Sequence, residues 1–111
     1  MNIDELKVRE IREIAQMVGC GGAKTGGPYR IGDKVLIRTV TMTQTGRIVE
    51  VYPHELVLED AAWIGDTGRF HVALRDGALS EIEPADGRVI VSRGSIVDCW
   101  EWRHDLPRSA K

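Results

Sequence analysis

Beyond Asp33 the apolar residues arrive in short bursts, each stopped by glycine, proline or a polar cluster. Bursts of this length cannot form the stripe of an amphipathic helix, and they read as strands. Lys34 to Val40 is rich in β-formers, and the threonines through Thr45 either prolong that strand or form a loop. Gly46 is expected to open a second strand, Arg47 to Tyr52, in which Ile48 alternates with Glu50 and Val49 with Val51. Pro53-His54 interrupts the run and Leu56-Val57-Leu58 resumes it. Val89 to Val91 and Ile96 to Trp102 supply two more strands, with Ser92-Arg93-Gly94-Ser95 as a tight turn between them. Bending at Gly46 and Gly94 would let so few strands close on themselves.

Residues 61–87 are less regular. Phe70, Ala73 and Leu74 suggest one or two helical turns from Arg69 to Arg75, ended by Gly77. Leu79 to Glu83 fits a short edge strand ahead of a Pro84-Ala85-Asp86-Gly87 turn. Residues 105–111 are expected as a flexible tail.

Ahead of the strands, residues 1–18 carry a helical pattern. Ile11, Ile14, Ala15 and Val18 share one side with Ile3 and Leu6, while Glu5, Arg9, Arg12, Glu13 and Gln16 fall opposite. Asn2 and Glu5 fit a capping box. Such a helix needs a cover for its apolar side, from the strands that follow, a neighbouring subunit or another protein. Five glycines between Gly19 and Gly27, followed by Pro28, mark residues 19–28 as a hinge.

A chain of 111 residues has room for one core. Its 15 Lys or Arg and 17 Asp or Glu give a net charge of −2, which argues against gripping nucleic acid by bulk charge but leaves room for a local basic patch. No apolar run approaches the roughly 20 residues that cross a bilayer, so no membrane partner is expected. The charged N-terminal segment and the two distant cysteines, Cys20 and Cys99, favour a reducing, cytoplasmic setting.

Gly46-Arg47-Ile48-Val49-Glu50-Val51-Tyr52-Pro53-His54-Glu55-Leu56-Val57-Leu58-Glu59-Asp60-Ala61 resembles the first conserved segment of Sm-like (LSm) proteins. There a glycine begins a bent second strand, a short turn follows, and an apolar strand ends in acidic residues. Val89-Ile90-Val91-Ser92-Arg93-Gly94-Ser95-Ile96-Val97 resembles the second segment, where Arg-Gly separates two short strands. The resemblance to a divergent member implies a mainly β fold: a small, strongly bent five-stranded Sm-like or SH3-like barrel over residues 29–104, an N-terminal α-helix, and a helical or irregular insertion at about 62–87. It also implies a ring in which the last strands of one subunit pair with a neighbour. Cyclic pairing would cover the two edges that a small bent sheet leaves open.

The family's base-holding turn maps onto His54 and Glu55, and its second-segment arginine onto Arg93, beside Gly94. Histidine can stack on a base and bond it. Glutamate cannot donate at neutral pH and would meet phosphates unfavourably. The structural alternatives are a solvent-facing turn bent by Pro53 and, at Arg93-Gly94, a turn that uses glycine's φ range.

Other chemistry finds little support. Lys24-Thr25 lies among glycines without the order of a phosphate loop, and it follows a helix instead of a strand. Cys20, Cys99, His54, His71 and His104 lack the spacing of a metal site, and Asp66, Asp76 and Asp86 match no calcium loop. No nucleophile turn is recognisable, so neither catalysis nor a cofactor is expected. Trp100 and Trp102 fall on one side of the last strand, with Val97 and Cys99 expected as core on the other. With Trp63, and with Ile11, Ile14 and Val18 of the helix, they are the candidate interface residues. Three functions follow. One is a homo-oligomeric ring acting as an assembly or scaffold protein. The second is an RNA-binding ring using His54 and Arg93. The third is a monomeric SH3-like peptide-binding module.

Overall fold

The computed structural model describes residues 27–111. The helix expected over 1–18 and most of the hinge lie outside these residues, as do Ile11, Ile14 and Val18. Six strands form one antiparallel sheet: β1 (Lys34–Thr39), β2 (Thr43–Val51), β3 (Glu55–Asp66), β4 (Glu81–Pro84), β5 (Val89–Ser92) and β6 (Ile96–Glu101). One short helix, α1 (Phe70–Asp76), stands between β3 and β4 among the described residues. A 3-10 turn, Arg93–Ser95, joins β5 to β6. The strands run in the order β4-β3-β2-β1-β6, and β5 also pairs with β3.

That arrangement rests on β3, which serves two partners in succession. Glu55 to Leu58 pair with β5, and Ala62 to Asp66 pair with β4. The change comes at a bulge, where Asp60 and Ala61 stand between the Arg47–Glu59 and Thr45–Ala62 pairs. Asp60 takes a left-handed φ of 51°, the only described non-glycine residue to do so. Its carboxylate accepts a hydrogen bond from Arg47 Nη2 at 2.5 Å. Opposite the bulge sits Gly46. It does not open β2, as expected, but lies in its interior, because the threonines prolong the strand back to Thr43. A Cβ on Gly46 would come within 3.1 Å of the Leu58 side chain and 3.3 Å of the Ala61 Cβ, so the glycine permits a close crossing of β2 and β3.

Two cores lie on the two sides of this sheet. The first gathers Val35, Ile37, Ile48, Leu56, Leu58, Ala61 and Val91. The second gathers Leu36, Ala62, Ile64, Ala73, Leu79, Ile82 and Trp102. Strand β1 supplies both, which explains why its Val35-Leu36-Ile37 run does not alternate with polar residues.

The expected elaboration over 62–87 has a packing role. β3 runs on to Asp66, and α1 and β4 lay Ala73, Leu79 and Ile82 over the second core. The helix ends at Gly77, which takes φ 75° and donates its N–H to the Ala73 carbonyl at 2.8 Å.

The C-terminal residues correct the expectation of a flexible tail. Trp102 Nε1 donates to the Asp105 carbonyl at 3.1 Å, and Lys34 Nζ to the His104 carbonyl at 2.6 Å. His104 Nε2 lies 2.7 Å from the Leu74 carbonyl oxygen, which only accepts, so this nitrogen carries the proton. Leu106 packs against the second core, and Lys111 exchanges two backbone hydrogen bonds with Ile82 of β4, each 3.0 Å. A sequence with Pro107 and little apolar content gave no sign of this docking. Among the described residues no helix is long and apolar enough to cross a membrane.

Candidate interaction surfaces

Pro53 and His54 form the turn between β2 and β3, which the Tyr52 N–H closes onto the Glu55 carbonyl at 2.9 Å. The 3-10 turn meets it directly. The Arg93 N–H donates to the His54 carbonyl at 2.9 Å, and Arg93 Nη1 donates to the Tyr52 carbonyl at 2.7 Å. The fold therefore brings His54 and Arg93 together across 39 residues of sequence, as the pairing of Glu55 with Ser92 requires. The Arg93 guanidinium also stacks 4.9 Å from the centre of the Tyr29 ring. Burial raises the Tyr29 hydroxyl above its ordinary pKa, with Cys99 adding to the shift and Arg93 opposing it. Tyr29 was hidden from sequence reasoning by its place beside the glycine stretch.

Gly94 does not need a glycine's conformation. Its φ is not positive, and a Cβ there would meet nothing closer than 3.9 Å. The expected use of glycine's φ range in this turn is therefore not realised.

Carboxylates hold other cations on this side of the sheet. Arg88 donates to Glu59 at 3.0 Å and to Glu50 at 2.9 Å, and Arg47 bonds Asp60. Tyr52 donates its hydroxyl to Glu50, which raises the tyrosine pKa through that hydrogen bond first. Glu55 is exposed beside His54.

The tryptophans separate into different roles. Trp102 is 3% exposed and fills the second core, so it is not available as an interface in the folded chain. The cause is the cover supplied by α1, Leu79 and Leu106. Trp100, on the same side of β6, lies at the rim of that cover and is 39% exposed. Its ring meets Phe70 edge-on at 5.2 Å, Phe70 carries the Arg38 guanidinium at 5.1 Å, and Arg38 forms a bidentate pair with Asp98. Trp100 Nε1 completes the cluster by donating to Asp98 at 3.0 Å. Trp63 is 38% exposed on β3, over Gly65.

Val97 corrects a second expectation. It is 64% exposed instead of core, although Cys99, two residues on, does pack against the first core. Burial pushes the Cys99 thiol up to about 11, so it stays protonated and unreactive at neutral pH. On β5, Ile90 is 71% exposed, facing away from its buried neighbour Val91. Among the described residues, each of these two strands has a ladder on one side only: β5 with β3, and β6 with β1.

Hollows flank the Cys99-Trp100-Glu101 stretch of β6. One of about 730 Å³ is lined by Tyr29, Val35 and Ile48, and one of about 570 Å³ by His71, Leu74 and Arg103. Among the described residues no His, Cys, Asp and Glu side chains gather as a metal site would require. No protein-family model and no curated protein matches the chain.

Proposed function

We propose that the chain is a non-catalytic, homo-oligomeric ring protein of the Sm-like kind, acting as an assembly or scaffold element. The observation that carries this reading is the pair of strand edges, β5 and β6, that are open among the described residues, each bearing a strongly exposed aliphatic, Ile90 or Val97. An open edge with exposed apolar side chains is a template for pairing. Because one 3-10 turn joins the two strands, their edges keep a fixed relation, and pairing β5 of one copy with β6 of the next is a heterologous contact, which yields a ring when the rotation it repeats closes. An added strand on β6 would send alternate side chains toward its two flanking hollows. The path β5-β3-β2-β1-β6 supports a five-stranded bent barrel, with β4 as an addition to it.

Light scattering on the nuclease-treated protein tests the reading. A single discrete multiple of 12.4 kDa is expected, and Val97→Lys should reduce it to the monomer with an unchanged circular dichroism spectrum. A wild-type monomer would sink the ring and leave the SH3-like peptide module.

RNA binding is the second reading, favoured by the contact between the His54 turn and Arg93. It is opposed by Glu55 and by the carboxylates that hold Arg88 and Arg47. On this reading the wild-type ring retains nucleic acid, with a raised 260/280 nm ratio, and His54→Ala with Arg93→Ala removes it without changing the mass. A protein-like ratio for the wild-type ring would reject it.

A further inference from the structure

The third edge of the sheet, β4, is occupied, and the manner of its occupation describes a ligand. Ile82 presents its N–H and C=O outward, and Lys111 takes both at 3.0 Å, as an added strand would. Two positions further along, Pro84 offers no N–H, so pairing at this edge centres on Ile82.

Beside it, the backbone carbonyls of Ala61 and Ala85 converge on one guanidinium. Arg108 donates Nη1 to Ala61 at 2.9 Å and Nη2 to Ala85 at 3.1 Å. The Ala61 carbonyl follows the left-handed Asp60, so a backbone bulge helps to aim it. Two carbonyls can only accept, and they select a forked donor over a point charge. Leu106 fills an apolar seat at the margin of the second core. Exposed Glu81 and Glu83 flank Ile82 and favour a positively charged strand.

We propose that this edge is a peptide-docking site for an extended, basic segment of another chain, which the protein's own residues 106–111 fill in cis. The recognised pattern is an apolar residue, arginine two positions later, and a basic residue three beyond that with an open backbone. The site lies away from the β5 and β6 edges, so it does not depend on self-assembly. A tethered segment has an effective concentration of about millimolar, so a partner gains access when the cis segment is weakened or outcompeted.

The probe is a fluorescein-labelled heptapeptide with the sequence of residues 105–111, titrated by anisotropy into the full chain and into its Arg108→Ala variant. The variant is expected to bind the peptide about tenfold or more tightly than the wild-type chain does. It should bind an otherwise identical peptide with alanine in place of arginine about tenfold less well. Absence of binding to the folded variant, or equal binding of the two peptides, overturns the proposal.

Hydrogen exchange on the unaltered protein gives a second test that needs no variant. The Ile82 amide, bonded to the cis segment, should exchange at least about tenfold faster than the Ala85 amide, which bonds the Ala61 carbonyl at 2.8 Å within the fold. Equal protection would mean that the segment does not detach, and it too overturns the proposal.

Discussion

The two cores are built from different materials. The first is assembled from strands that pair directly with one another, β1 with β2, β2 with β3 and β3 with β5, and its buried members are all apolar. The second draws on β1, β3, a two-turn helix, β4 and a tryptophan just past β6, with Leu106 packed at its margin. It also encloses a fully buried Thr45 hydroxyl that has no hydrogen-bond partner, between Leu36 and Ala62 in register. A strand sandwich needs only the right period to form a core. A core assembled from scattered pieces depends on each piece arriving, and it tolerates an imperfection at the seam.

Breaking the second core tests whether it is structural or only decorative. Trp102→Ala should cost about 3–5 kcal/mol in urea unfolding, since it removes the largest side chain and opens a cavity among Leu36, Ala73 and Leu79. If Trp102 were an interface residue instead, the substitution would change the mass by light scattering and leave the unfolding midpoint of the monomer in place. Thr45→Val should act in the opposite direction. Replacing an unsatisfied buried hydroxyl with a methyl group of similar shape is expected to stabilise the fold by about 1 kcal/mol, read by the same urea titration. A loss of stability would show that the hydroxyl is satisfied in solution.

The smallest effect separates the tryptophans at the core and at its rim. Asp98 is held below its ordinary carboxyl pKa of 3.8, chiefly by its hydrogen bond from Arg38, with burial opposing and the Trp100 indole assisting. A carboxylate whose folded pKa is depressed contributes in full above its unfolded value, and that contribution is lost as the pH falls through the folded value. The pair is exposed, so the change in stability should be slight. The indole N–H resonance of Trp100 should nonetheless shift as the pH falls below about 4. That of Trp102, bonded to a backbone carbonyl that does not titrate in this range, should stay in place.

The same contrast explains what could be read from the sequence. β1, β2, the start of β3, β5 and β6 were legible because each is a local run of β-formers, and Gly77 marked the end of α1 for the same reason. The turns of α1 and the edge strand β4 could be read in the same way, but the second core could not, because the meeting of Ala73, Leu79, Ile82 and Leu106 comes only with folding. In the sequence Trp102 therefore reads, with Trp100, as a candidate interface residue. Val97 erred the other way: its place in the Ile96 to Trp102 alternation was correct, but among the described residues nothing covers it closely enough to bury it. Of the candidate surfaces, the meeting of His54 with Arg93 was suggested by the motif order. The clamp of Arg108 on two backbone carbonyls had no side-chain signal at all.

One consequence of the bulge at Asp60 concerns parity. Before it, the even-numbered Leu56 and Leu58 face the first core; after it, the even-numbered Ala62 and Ile64 face the second, while odd-numbered Ala61 joins the first. Side chains on a strand alternate with a period of two, so one supernumerary residue inverts the assignment of every position that follows. Asp60 is that residue, and its left-handed backbone is the cost of the inversion. Were Asp60 held in regular alternation instead of being absorbed by the bulge, every apolar side chain of β3 would remain but Ala62 and Ile64 would be sent to the wrong side of the sheet.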